Sequence, residues 1–93
     1  MAFQRYGGRF FCQDGFSVSV VWGRGTNSEV GQNGDIVSYE LGFPSSEDNL
    51  ISEFAEDSTN PTNTVYGWVP AEIVQQLIQS HGGLKDSRRH SQI

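Results

Sequence analysis

The chain has 93 residues, 11 of them Asp or Glu and 6 Lys or Arg, for a formal net charge of −5, with a single cysteine. That length makes one small domain, and one thiol excludes an internal disulfide framework. The charge is uneven: residues 25–84 hold nine acids and no Lys or Arg, which argues against a general nucleic-acid binder because phosphate contacts need basic side chains.

In chain order, Phe10–Gln13, Asp14-Gly15 and Phe16–Trp22 read as a β-hairpin, with Asp-Gly as the pair of a two-residue primed turn. Along its second strand Phe16, Val18, Val20 and Trp22 fall on one face, expected to be buried, and Ser17, Ser19 and Val21 on the other. Gly23–Gly34 reads as a glycine- and asparagine-rich loop, long for so small a domain. Asp35–Phe43 reads as a third strand, with Val37, Tyr39, Leu41 and Phe43 on one face and Pro44 as its end. Ser45 or Ser46 is placed to cap a short helix carrying Glu47 and Asp48 in its first turn and Leu50, Ile51 and Phe54 as its apolar stripe. Asp57–Asn63 is turn-rich, and Thr64–Val69 reads as a fourth strand. Pro70 opens a last helix, Ile73, Val74, Leu77 and Ile78 make its stripe, and Gly82-Gly83 stops it. This order, β-β-β-α-β-α, predicts an α+β fold. A small antiparallel sheet of about four strands carries the C-terminal helix, in a single domain of residues 1–84 followed by a polar tail, residues 85–93.

Catalytic patterns are weak. His81 at a helix end and His90 in the tail have no Cys or carboxylate at metal-ligand spacing. Cys12, between aromatic neighbours in a strand, reads as a small buried hydrophobe. No enzyme activity, metal or cofactor is expected. Gly23-Arg24-Gly25 follows a strand as a phosphate loop would. Ser28 stands where the dinucleotide pattern needs glycine, and the Gly-Lys-Ser/Thr ending of a P-loop is missing. It leaves open a binder of a small anionic nucleotide, held by Gly23, Arg24 and Gly25.

The densest chemistry is acidic: Glu47, Asp48, Glu53, Glu56 and Asp57. On a helix Glu53 shares a face with Glu56 and Asp57, where like charges oppose the helix. Such a segment is either a solvated face that aids solubility or an electrostatic footprint that docks on a basic protein surface. If Val65 and Val69 face the core, Tyr66 and Trp68 face outward, as candidate contact residues beside the acids.

Several blocks carry a likeness: Cys12 to Val20 (CQDGFSVSV), Glu40 to Ser45 (ELGFPS), Ala55-Glu56-Asp57, Pro61-Thr62, Thr64 to Pro70 (TVYGWVP) and His81-Gly82-Gly83. With these the chain resembles small uncharacterised proteins of bacteriophages and prophages, leaving Val21–Ile36 outside the likeness. The resemblance implies a phage accessory protein acting in the host cytoplasm, similar in style to anti-CRISPR and other anti-defence inhibitors, and brings no active site. The expected function is inhibition or modulation of a host protein with a basic surface, including one that normally holds nucleic acid. Direct contact with nucleic acid or membrane is not expected. A minor virion component is a third reading, and the spare aromatics allow a homodimer.

Overall fold

A computed structural model describes residues 5–85; His90 and the tail beyond Lys85 lie outside the described residues. Five strands form one antiparallel sheet: β1 (Arg5–Phe11), β2 (Ser17–Gly23), β3 (Glu29–Val30), β4 (Ile36–Gly42) and β5 (Val65–Pro70). One helix, α1 (Ala71–Ser80), closes the described chain. The fold is α+β as expected, with one strand more than the sequence suggested. Strand β4 is central. Ser19–Val21 of β2 face Gly42–Glu40 on one edge, and β5 pairs with the other. Ser38 of β4 lies between Glu29 and Pro70, so β3 follows β2 along the same edge. The last residues of β2, Trp22 and Gly23, stay paired to Tyr6 and Arg5 of β1. The sheet therefore forks, with one ribbon made of β1–β2 and the other of β3–β4.

Both ribbons turn in the same way, and neither turn is the two-residue kind expected at Asp14-Gly15. The Cys12 N–H donates to Phe16 O at 2.8 Å and the Gly15 N–H to Cys12 O at 3.1 Å. At the other hairpin the Gly31 N–H donates to Asp35 O at 2.7 Å and the Gly34 N–H to Gly31 O at 3.0 Å. Each is a three-residue loop, Gln-Asp-Gly or Gln-Asn-Gly, whose glycine is left-handed, Gly15 at φ 97 and Gly34 at φ 91. Each Asx side chain secures its loop by accepting the N–H two residues on: Asp14 from Phe16 at 2.9 Å, Asn33 from Asp35 at 3.1 Å. The presumed loop 23–34 thus contains β3 and half of a hairpin.

Phe16, Val18, Val20 and Trp22 are all buried, as their alternation predicts, and pack with Tyr39, Leu41, Ile51, Tyr66 and Val69. Val74, Leu77 and Ile78 of α1 close the core over them. Burying each such side chain contributes about 1.5–3 kcal/mol before the entropy of ordering it is subtracted. The helix ends as its glycines require. The Gly83 N–H donates to Ile78 O and the Gly82 N–H to Gln79 O, with Gly82 at φ 86, which closes a Schellman cap. The face expected on the third strand holds only at Tyr39 and Leu41. Val37 is exposed because β3 meets β4 through a bulge, and Phe43 is exposed because its backbone turns to φ 51. No helix among the described residues is long and apolar enough to cross a membrane.

Candidate partner-binding site

The segment from Ser45 to Asp57 is not an α-helix. Ser45 is used elsewhere: its N–H donates to Ser17 O and its hydroxyl accepts the Ser17 N–H, both within 2.9 Å. The chain then makes successive tight turns, Ile51 N–H to Asp48 O and Phe54 N–H to Ile51 O, with one 3₁₀ turn at Ser52–Phe54. Asp48 Oδ1 accepts the Leu50 N–H at 3.0 Å, a local bond that competes with helix formation, as Asp and Asn side chains commonly do. Glu53, Glu56 and Asp57 therefore share no helix face.

The five acids divide by use. The Asp57 carboxylate accepts from the Thr59 hydroxyl at 2.6 Å, the Asn60 amide at 2.9 Å and the Thr59 N–H at 3.1 Å, which hold it below the usual carboxylate range. It builds its own turn. Asp48 Oδ2 lies 2.8 Å from Nε2 of His81, while Asp14 Oδ2 lies 2.7 Å from Nδ1 of the same ring. That ring stacks on Phe16, centroids 3.9 Å apart and 7° from parallel. His81 thus joins the first hairpin turn, the acidic segment and the end of α1. Glu47, Glu53 and Glu56 are exposed, and none forms a salt bridge among the described residues. Two links bring this segment against β5: a bridge between Ala55 and Tyr66, and a Glu56 N–H donated to Val65 O at 2.9 Å.

Tyr66 and Trp68 do not share an outward face. Tyr66 is buried, 1% exposed, and its hydroxyl donates to the Pro61 carbonyl. Burial first, then the nearby charge of Glu47, raises its pKa. Between Tyr66 and Val69 the strand bulges, so that Glu40 alone faces both Gly67 and Trp68. The extra residue breaks the expected alternation, turning Tyr66 inward while Trp68 stays outward as expected. Trp68 is left 57% exposed at φ 51, a left-handed backbone rare for a bulky side chain. Asn27 holds the bulge: its N–H donates to Glu40 Oε1 at 2.7 Å and its carbonyl accepts the Trp68 N–H at 2.9 Å. Its side chain fills the space beside Gly67, where a Cβ would lie 3.3 Å from Asn27 Cβ. Phe43, just past the end of β4, repeats the feature, 46% exposed at φ 51, with its N–H donated to Thr64 O.

The loop with Gly23, Arg24 and Gly25 is not an empty phosphate cradle. The Gly23 N–H donates to the Ser28 hydroxyl at 3.1 Å, and Gly23 O accepts from the Thr26 N–H and hydroxyl. Arg24 and Gly25 are exposed. Cys12 is 1% exposed, and burial and the Asp14 charge raise its pKa. Among the described residues no group of three His, Cys, Asp or Glu side chains is placed to hold a metal ion.

No family model, no curated protein and no solved structure matches this chain.

Three residues of this region, Phe43, Asn27 and His81, escaped the sequence reading as site features. For Asn27 the only signal was its place in an unassigned loop. For His81 the partners lie 67 and 33 residues away, beyond any local spacing rule.

Proposed function

We propose that the chain is a non-enzymatic binding protein that docks on a basic protein surface, with Trp68 and Phe43 as apolar anchors and Glu47, Glu53 and Glu56 as a charged rim. The observation that supports this most is the bulge at Gly67-Trp68. A bulky residue in left-handed backbone costs on the order of 1–3 kcal/mol, and such strain collects at functional positions. Here the strained residue is an exposed tryptophan, the side chain most enriched among binding hot spots. The acidic segment bonded to the same strand supplies steering toward a basic partner. Asp48 and Asp57 shape the segment and are not part of its free charge, and Tyr66 acts from below as a core residue. The resemblance of its sequence blocks to phage and prophage proteins supports a partner in a bacterial host, as the target of an anti-defence or other accessory protein.

Capture of host-lysate proteins by the immobilised chain at low and high salt tests this reading. A specific partner should be retained at low salt, released at high salt, and lost on replacing Glu53 and Glu56 by Lys. Retention that ignores both changes refutes the electrostatic part. A second reading, a small-ligand binder, is favoured by a pocket beside Gly23.

A further inference from the structure

Strand β1 ends the sheet on its side, and its outer edge is partly filled. The Gln13 N–H donates to Gly83 O at 2.9 Å, the Lys85 N–H donates to Phe11 O at 2.8 Å, and Cys12 is bridged to Leu84. A short antiparallel segment is thus already seated at one end of this edge. The Cys12 N–H goes the other way, to Phe16 O across the hairpin. Backbone groups of an antiparallel strand alternate in direction. Phe10, Gly8 and Tyr6 therefore bond toward β2, while Arg9, Gly7 and Arg5 point their N–H and C=O outward, on the side of Phe11 O. No described residue pairs with those three on that side. Arg5–Arg9 is an open edge, able to template another strand.

The side chains along this edge are sorted by face. Tyr6 and Phe10 turn to one face, Tyr6 lining the pocket beside Gly23 and Phe10 entering the core. Arg5 and Arg9 turn to the other, roughly 13 Å apart along the strand, with Gly7 between them. The Arg9 guanidinium donates to the Ser17 hydroxyl at 2.9 and 3.1 Å and to Ser17 O at 3.2 Å. Serine is neutral, so these bonds fix the guanidinium without cancelling its charge. Neither arginine is ion-paired among the described residues. Gly7 and Gly8 present no side chain to an incoming backbone.

The charges select the occupant. A second copy pairing two-fold about Gly7 would set Arg5 opposite Arg9 twice, and like charges directly opposite destabilise a ladder. A strand with two carboxylates four residues apart would set one opposite each arginine, in charge-assisted hydrogen bonds. We infer that the outer edge of β1 accepts an extended acidic segment of a partner protein as an added antiparallel strand, by β-augmentation. Backbone bonds to Gly7 and Arg9 supply affinity, and the arginines supply sequence preference. None of Phe43, Trp68, Glu47, Glu53 and Glu56 belongs to β1, so this edge is a second surface, separate from the one proposed above.

The probe is a capped eight-residue peptide of alternating valine and threonine with glutamate at its third and seventh positions. Its control carries lysine at those two positions. Each is titrated into the full chain and followed by amide NMR, with hydrogen exchange measured free and at saturation. The acidic peptide should bind saturably, and more weakly as salt rises. Exchange of the Gly7 and Arg9 amides should slow at least tenfold, while the Gly8 and Phe10 amides, already bonded to β2, change little. Arg5→Glu should weaken the acidic peptide by about threefold or more. Arg5→Glu/Arg9→Glu should reverse the preference in favour of the lysine peptide. Arg5 is exposed at the start of β1, so the single variant carries the test if the double variant fails to fold. No saturable binding at millimolar peptide overturns the inference, and so does equal affinity for the two peptides. Gly7 and Arg9 amides already protected in the free chain also overturn it. In that case a dimer by sedimentation assigns the edge to a second copy, and a monomer assigns it to the chain itself.

Discussion

Replacing His81 by Gln removes one titratable ring and leaves a polar side chain at the helix end. Both ring nitrogens of His81 sit on carboxylate oxygens, Asp14 at 2.7 Å and Asp48 at 2.8 Å, so only the doubly protonated ring can donate to both. Burial opposes that charge, but the hydrogen bonds to Asp14 and Asp48 outweigh it and hold the pKa above its ordinary 6.5. With the folded pKa above the unfolded one, the native state binds the extra proton. Its stabilisation is complete below about pH 6.5 and is lost as pH rises through the folded value. Asp14 sets the opposite limit. Its pKa is depressed by the Phe16 N–H and by His81, so its contribution is present above the ordinary 3.8 and fades as pH falls through the lower folded value. The His81–Asp48 arm, with both side chains 17% exposed, is worth about 1–2 kcal/mol after solvent screening. In a domain this small each ~1 kcal/mol moves Tm by about 4–8 °C. Thermal and urea unfolding of wild type and His81→Gln from about pH 5.5 to about pH 8.5 measures it. The wild type should lose about 1–2 kcal/mol relative to the variant as pH rises through this range. Parallel profiles, or a wild type that gains stability toward pH 8.5, would refute the charged clasp.

Three further outcomes are expected. The Ser38 hydroxyl is buried without a hydrogen-bond partner, so Ser38→Ala should raise stability by about 1 kcal/mol in urea unfolding. At Gly7, φ is 110 and a Cβ would lie 2.0 Å from Val20 O, whereas at Gly8 it would meet nothing within 4 Å. Gly7→Ala should therefore cost about 2–4 kcal/mol through strain and backbone displacement, and Gly8→Ala should be neutral or stabilise by about 0.5 kcal/mol. The Cys12 thiol, buried and raised in pKa, should react with a thiol reagent on the order of a hundredfold more slowly in the native chain than in urea.

Much of the fold was legible because it rests on local periodicity. The alternation from Phe16 to Trp22, the stripe of α1 and the Gly82-Gly83 stop all follow from side-chain spacing and glycine's freedom. The second hairpin reads as a loop, although Gln32-Asn33-Gly34 repeats the Gln13-Asp14-Gly15 of the first. It was hidden by the brevity of β3, two residues long, which shows no alternation. The helix expected after Pro44 failed because Ser45, Asp48 and Asp57 have better partners outside a helix, and those partners are set by tertiary structure. Tyr66 was misread because the bulge adds one residue between it and Val69, and a period-two argument then inverts the face on the far side of the bulge, while Trp68 stays outward as expected.

The central claim is that the strained Trp68 is kept for binding and not for folding. Trp68→Gly separates the two, because glycine takes φ 51 at little steric cost and loses the exposed ring. Stability and partner capture are measured on the same preparation, by urea unfolding and by retention from host lysate at low salt. The variant should be as stable as wild type or up to about 1 kcal/mol more stable, with salt-sensitive capture reduced at least tenfold. A variant that is destabilised by more than about 1 kcal/mol while its capture is undiminished would contradict it.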